Sequence, residues 1–471
     1  MYSFSALDII LMPVYIVIML AIARKIVQDH PNEPAYEYFI KGLYLKIIGS
    51  LALCFIYLFY YQGGDTINYM SDARVLMRLA SKDLGSFFDI LFNGINKEKY
   101  SVFNNELGFP QYFHNKTEEW RVIRYTVPFS IMGLGYYIPT SLIVAFLSYL
   151  GNFRLFVVFV KEFPDIYKKL ALPLLFIPSA AFWGAGILKD TFTFSAIGWY
   201  TYGFYMAFIK RENIRNNIVA ILLASYVIIG IKPYIFIALL PGSLIWLNFT
   251  RLRSIKSAFL RALALPFLVV VLGVGGLVLF NLLGSSLGDK YSSIDKALQT
   301  AVVTQQDLKR AEYQGASFDI GNFDPTLAGI TSKIPAAVTA GLFRPFIWES
   351  RNAVMLLSGL ENLFFMGFTI RLFFALGLFG FFKKLGNSPL LIFSLIFSLF
   401  FAFSVGLTTS NFGSLVRYKI PCEPFYLGML FALYYIKKDS PVNEEVIEEL
   451  TIEQQEDKFK RLRSKTGFIV K

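Results

Sequence analysis

Residues 389–407 read PLLIFSLIFSLFFAFSVGL, an uncharged run that lies just beyond Lys383-Lys384. A helix of about 20 apolar residues crosses the hydrocarbon core of a bilayer. In that medium an open strand is not viable, because each unpaired backbone N–H or C=O costs several kcal/mol. The run is therefore expected to be a membrane-spanning helix. Comparable runs occur on both sides of it, at about 7–27, 43–61, 129–150, 170–187, 191–209, 217–231, 234–249, 262–283, 362–382 and 423–436. Together they make about eleven expected spans.

The expected fold is thus an all-α polytopic membrane protein. Composition agrees: the 471 residues are 55% hydrophobic and only 17% charged, with a mean hydropathy of +0.52. Aromatic residues, Phe foremost, suit lipid-facing and interfacial positions. The net charge of +12 does not imply nucleic acid, because the basic residues sit mostly in short loops between spans, where they orient the protein.

Those loops set the topology. Arg24-Lys25 with Lys41, Arg154 with Lys161 and Lys168-Lys169, Lys210-Arg211 with Arg215, Arg251 to Arg261, Lys383-Lys384 and Lys437-Lys438 all fall on one side. That side is cytoplasmic if the N-terminus is extracytoplasmic and the C-terminus cytoplasmic. The transmembrane domain is then 1–438, followed by a cytoplasmic tail, 439–471, acidic over Glu444–Asp457 and basic over Lys458–Lys465. Two long outer loops are expected, 62–128 and 284–352. In the first, Val75, Leu76, Leu79, Leu84, Phe87, Phe88 and Leu91 recur at near-helical spacing, which points to one or two helices over 71–91 lying in the interface. The second opens with an amphipathic stretch from Ile294 to Leu308 and returns to the membrane through Ile334–Phe343.

Cys54 and Cys422 lie in or beside apolar runs and read as buried thiols, without a disulfide framework. His30 and His114 are too few and too far apart for a histidine metal site. No metal and no cofactor is expected, although a divalent ion stays open. The first apolar run is followed by Arg24-Lys25 and no small-residue cleavage site, so no cleavable signal peptide is expected. No internal repeat is visible, which speaks against transporter folds built from two halves.

The polar clusters that interrupt the apolar runs collect on the outer face. A charge at membrane depth costs about 2.5–3.5 kcal/mol on insertion scales, so several on one face point to a site for a charged head group. Asp65 follows two glycines, which allow a sharp turn; its carboxylate can serve as a general base or simply cap the next helix. Lys189 and Asp190 join two spans with almost no loop: a phosphate ligand and its neighbour, or a snorkelling lysine and a helix cap. Lys232 occupies a very short outer turn before Pro233: a phosphate ligand, or part of ordinary turn chemistry. Arg344, set between aromatics by Pro345, offers a planar fork to phosphate, with Glu349 and Glu361 to balance it or to bind sugar hydroxyls. Arg417 and Lys419 lie outside against the positive-inside bias, a placement that marks them as candidates for the same site.

Taken together, Gly-Gly-Asp at 63–65, Pro-Ser-x-x-Phe-Trp-x-x-Gly-Ile-x-Lys-Asp at 178–190, Arg-Pro-Phe at 344–346 and Arg-Tyr-Lys-x-Pro at 417–421 resemble polytopic proteins of bacterial exopolysaccharide and O-antigen gene clusters. More distantly, the set is similar to the GT-C superfamily of membrane glycosyltransferases. This resemblance implies a GT-C-like helical fold in the bacterial cytoplasmic (inner) membrane, with an active site on the extracytoplasmic face. It implies a polyprenyl-phosphate- or diphosphate-linked saccharide as donor, a glycan or lipid as acceptor, and an acidic catalytic residue in the first long outer loop, where Asp65 stands. The chain departs from that pattern in having an extra span before Asp65 and no paired acidic signature; the nearest acid is Asp72. A polysaccharide polymerase of the Wzy or EpsG type, resting more on the outer arginines, therefore stays open.

The leading expectation is an inverting transfer, with Asp65 taking the acceptor proton and Arg344, Arg417 and Lys189 neutralising the leaving phosphate. A flippase or transporter of lipid-linked saccharides would string charges through mid-span positions, where Arg371 stands nearly alone. A non-catalytic scaffold of a polysaccharide export complex would leave the outer charges satisfied locally.

Overall fold

Ser5 starts the first helix, α1 (Ala6–Gln28), by accepting a hydrogen bond from the Leu7 amide at 3.3 Å. Asp8 in return accepts the Ser5 amide at 3.2 Å and also the Ile138 amide at 3.0 Å, so one buried carboxylate ties α1 to the start of α7 (Tyr137–Glu162). The outward face of α1 is apolar and open, with Ile10 and Val17 exposed. A helix that displays such residues and buries few faces lipid rather than water.

The computed structural model describes residues 4–112, 117–253, 294–307, 317–351 and 353–436. Among these, the regular elements are all helical, and the one extended pairing is an isolated bridge between Ser317 and Asn411. After α1 come α2 (Phe39–Phe55), continued by a π-helical turn over Ile56–Tyr60, α3 (Asp65–Lys82), α4 (Leu84–Asn93), α5 (Lys97–Tyr100) and α6 (Thr117–Met132). Beyond α7 follow α8 (Tyr167–Leu175), α9 (Pro178–Trp183), α10 (Lys189–Phe204), α11 (Ile214–Ile231) and α12 (Pro233–Arg253). The remainder comprises α13 (Ile294–Asp307), α14 (Leu327–Ser332), α15 (Ile334–Phe343), α16 (Ala353–Leu385), α17 (Pro389–Thr408), α18 (Phe412–Tyr418) and α19 (Glu423–Tyr435).

Six of the described helices are long and apolar enough to cross a membrane: Ala6–Gln28, Pro34–Tyr60, Tyr137–Glu162, Ile214–Ile231, Met355–Leu385 and Pro389–Thr408. The span expected at 262–283 and the tail at 439–471 lie outside the described residues. The stretch read as one span at 170–187 is two short helices, because Ile177 is held extended ahead of Pro178, the first residue of α9. The stretch read as a span at 129–150 is cut by a turn at Gly133–Tyr136, where Leu134 (φ 55°) and Gly135 (φ 75°) are left-handed; the continuous helix is 137–162 instead.

α7 is the buried axis of the bundle, packed by α1, α2, α8 and α10. Small residues let α10 come close: a Cβ on Gly198 would run into the Gly151 carbonyl. α10 in turn packs on α11, and α12 and α15 pack on α17. The expected helical pattern over 71–91 resolves into α3 and α4. α3 buries Val75, Leu76 and Leu79 and packs on α6; α4 buries Phe87 and Ile90 and leaves Leu84, Phe88 and Phe92 exposed.

Candidate functional site

The π-helical turn at the end of α2 brings the Tyr61 amide back to the Ile56 carbonyl at 2.9 Å. The next residues, Gln62 (φ 51°) and Gly64 (φ 106°), take left-handed backbone, and the chain reverses into α3. A Cβ at Gly64 would sit 2.9 Å from the Tyr57 ring, so this corner needs glycine both for its φ and for its space. Gly64 therefore holds the cap position, and Asp65 is the first helical residue. Its side chain caps nothing there. It accepts from Arg417 Nη1 at 2.9 Å and stays 41% exposed.

Arg417 comes from α18 and reaches the opposite way too: its Nε donates to Asp190 Oδ2 at 2.6 Å. Asp190 is fully buried in the first turn of α10, and its other oxygen accepts from the Lys232 ammonium. Lys232 closes the end of α11 before Pro233 opens α12, and its ammonium lies 4.2 Å from the Tyr418 ring centre. Two cations and two carboxylates from four distant segments thus form one neutral network. Lys232 and Arg417 place two opposite charges on Asp190, the pairing that a buried carboxylate requires. Asp65, at the open end, is the most exposed member, at 41% against 12% for Arg417.

Lys189 points elsewhere, to Glu118 Oε2 at 3.1 Å and Glu119 Oε1 at 2.9 Å on α6. Arg344 forms its own fork with Glu349, through Nε at 3.0 and 3.1 Å and through Nη2. Glu349 also accepts the Phe346 amide at 2.9 Å, and the Arg344 guanidinium lies over the ring of Phe318 at 4.6 Å. Lys419 turns inward. It donates to Asn362 Oδ1 and to the Arg344 carbonyl at 3.3 Å, and lies 3.8 Å from Glu423. Ser179 binds both Glu361, through its amide at 3.0 Å, and Glu423, through its hydroxyl at 2.8 Å.

The sequence candidates therefore divide. Asp65, Asp190, Lys232 and Arg417 share one network, and Lys189 adjoins it in sequence. Arg344 with Glu349, and Glu361 with Lys419, form a second group that meets the first at Arg417–Lys419. Glu118, Glu119, Ser179, Asn362, Tyr418 and Glu423 were not among the candidates. Glu423 alone carried a signal, an acid at the edge of an apolar run; the others are common polar residues that only the fold brings to a charge. Among the described residues, no three His, Cys, Asp or Glu side chains gather as a metal site. No protein-family model matches the chain, and no curated protein or solved structure matches it.

Proposed function

We propose that the protein is a membrane-embedded glycosyltransferase or polysaccharide polymerase that uses a polyprenyl-phosphate-linked saccharide at the extracytoplasmic face of a bacterial cytoplasmic membrane. The reading includes about eleven spans, an extracytoplasmic N-terminus and a cytoplasmic C-terminus, in keeping with the basic loops. The observation that carries it is Arg417 held between a buried carboxylate, Asp190, and a reachable one, Asp65.

That arrangement lends itself to exchange. Asp190, itself paired with Lys232, fixes the guanidinium from behind, while an incoming phosphate takes the place of Asp65 on Nη1. The released Asp65 carboxylate then lies beside the bound phosphate, free to accept a proton. The acceptor hydroxyl oxygen attacks the anomeric carbon, its proton passes to Asp65, and the bond to the phosphate oxygen breaks. The phosphate leaves with the electron pair, and Arg417 neutralises it. A preformed cation at developing charge is usually the largest catalytic term, and a positioned base adds about 10²–10⁴-fold.

The test is formation of glycolipid or polymer in membranes that express Asp65→Asn at the wild-type level. Loss of product by about 10²-fold or more is expected. Full product removes Asp65 as base; head-group binding that survives without transfer in the wild type turns the reading to a flippase.

A further inference from the structure

α16 is not one straight rod. Gly377 takes positive-φ backbone (φ 65°), and the helix bends there. In a straight helix Phe373 and Phe381 would stand about 12 Å apart along the axis. Their rings instead stack at 4.8 Å. The bend also gathers two cations that an unbroken helix would hold about 20 Å apart. Arg371 donates to the Tyr434 hydroxyl from Nε at 3.2 Å and from Nη2 at 2.8 Å, and Lys384 donates to the Leu433 carbonyl at 3.1 Å. Leu433 and Tyr434 are neighbours at the end of α19, so Arg371, Lys384 and the exposed Lys383 share one corner. From Ala353 to Leu376 the helix runs about 36 Å, enough to cross a hydrocarbon core of about 30 Å. The bend then falls at the membrane surface, and Arg371, about 9 Å before it, reaches that level with its long side chain.

The charge at this corner is not balanced. Among the described residues the Arg371 guanidinium meets the Tyr434 hydroxyl and ring but no carboxylate. The acids of the two helices, Glu361 and Glu423, lie about 15 Å back along their axes, and both are bound to Ser179. A charge left without a counter-ion at membrane depth costs about 2.5–3.5 kcal/mol, so an anion belongs here. Its surroundings are apolar and open: Phe374 is 87% and Phe379 83% exposed. Cations beside exposed phenyl rings match an amphiphile, with a phosphate for the guanidinium fork and acyl chains for the rings. An acidic peptide such as Glu444–Asp457 would match the charge and leave the rings uncovered. We infer that this corner binds one anionic phospholipid of the leaflet on the Lys383-Lys384 side, its phosphate at Arg371 and its chains over Phe374 and Phe379.

The test is native mass spectrometry of the full chain in detergent micelles, with phosphatidylglycerol and phosphatidylcholine added in equal amounts. One tightly held phosphatidylglycerol is expected. Phosphatidylcholine should be lost more readily, and excess inorganic phosphate, which brings no chains, should not compete. Arg371→Gln should weaken retention by about 10-fold, the worth of one charge-assisted hydrogen bond. Lys41→Gln, which removes an exposed cation of another basic loop, should leave retention unchanged. Lys383→Gln should cause a smaller loss, and counts in place of Arg371→Gln if that variant fails to fold. Equal retention of the two lipids, displacement by inorganic phosphate, indifference to both substitutions, or an equal loss in Lys41→Gln overturns the site. So does carbodiimide coupling of Lys383 to an acid of 444–457 or of a second copy, which would put a peptide where the lipid is assigned.

Discussion

Removing the Asp190 carboxylate would leave two cations, Lys232 and Arg417, facing each other in a closed space. Breaking a buried pair from one side costs about 3–5 kcal/mol, most of it the penalty of the orphaned charge. Asp190→Ala should therefore lower the thermal stability of purified protein by that amount, whereas Asp65→Asn, at the exposed end, should leave stability within about 1 kcal/mol. Equal losses from the two would mean that Asp65 is structural. Arg344→Lys keeps charge but loses the bidentate hydrogen-bonded pair with Glu349, so it should weaken donor use several-fold without unfolding the protein; unchanged donor dependence of product formation removes Arg344 from the site. Legibility at this scale was uneven. Asp65, Asp190, Lys232 and Arg417 stood out because a charge at membrane depth is costly wherever it occurs. Which of them pair did not, because pairing across tens to hundreds of residues leaves no local trace. Lys189 shows the limit: its neighbour in sequence joins Arg417, while Lys189 itself turns to Glu118 and Glu119.

Helices were legible where apolar length alone decides, as in α1 and α17, and their breaks were not. Hydropathy carries no record of the left-handed backbone at Leu134 and Gly135, nor of the extended Ile177, so an apolar count runs straight through both. The corner at Gly64 is where such backbone matters most. Gly64→Ala meets both an unfavourable φ and the Tyr57 ring, a strain of about 1–3 kcal/mol. It should displace Asp65 and lower product formation while the rest of the fold persists. Near-wild-type activity would show that the corner adapts freely. A second element carries a pH signature. Asp72, on α3, accepts the Gln111 and Tyr112 amides and thereby pins the segment after α5. Burial pushes its pKa up to about 6, against those two bonds. A carboxyl that holds its proton more tightly when folded adds stability at low pH, and that stability is lost as pH rises through about 6. Its share between about pH 8 and about pH 5 is roughly one pKa unit, about 1.4 kcal/mol in favour of the lower pH. Thermal unfolding at the two pH values should show that gain in the wild type and lack it in Asp72→Asn; an equal gain in both would assign it to another group.

The whole molecule ties its two long loops to the same end. The first begins at Asp65, which Arg417 of α18 grips at 2.9 Å. The second contains Phe318, whose ring stacks on Phe412 of α18 at 5.0 Å and whose amide donates to the Ser410 carbonyl at 2.9 Å. One short helix thus receives both loops, and they cannot lie on opposite faces of a membrane. From Asp190, at the same ionic network, α10 and the π-helical turn after it run to Lys210. Some twenty residues at about 1.5 Å each carry the chain roughly 30 Å, the thickness of a hydrocarbon core. Glu212, just past that end and exposed, should therefore face the other side. Both native cysteines are free and buried, so single added cysteines can report accessibility without background. Asn105→Cys and Asp324→Cys, both at exposed positions, should react with an impermeant maleimide from outside intact cells. Glu212→Cys should react only after the membrane is opened. Agreement between Asn105 and Asp324 with Glu212 opposite would fix the charged network outside. Labelling of all three from one side would remove α10 as a membrane crossing, and with it the outer placement of Arg417 on which a lipid-linked donor depends.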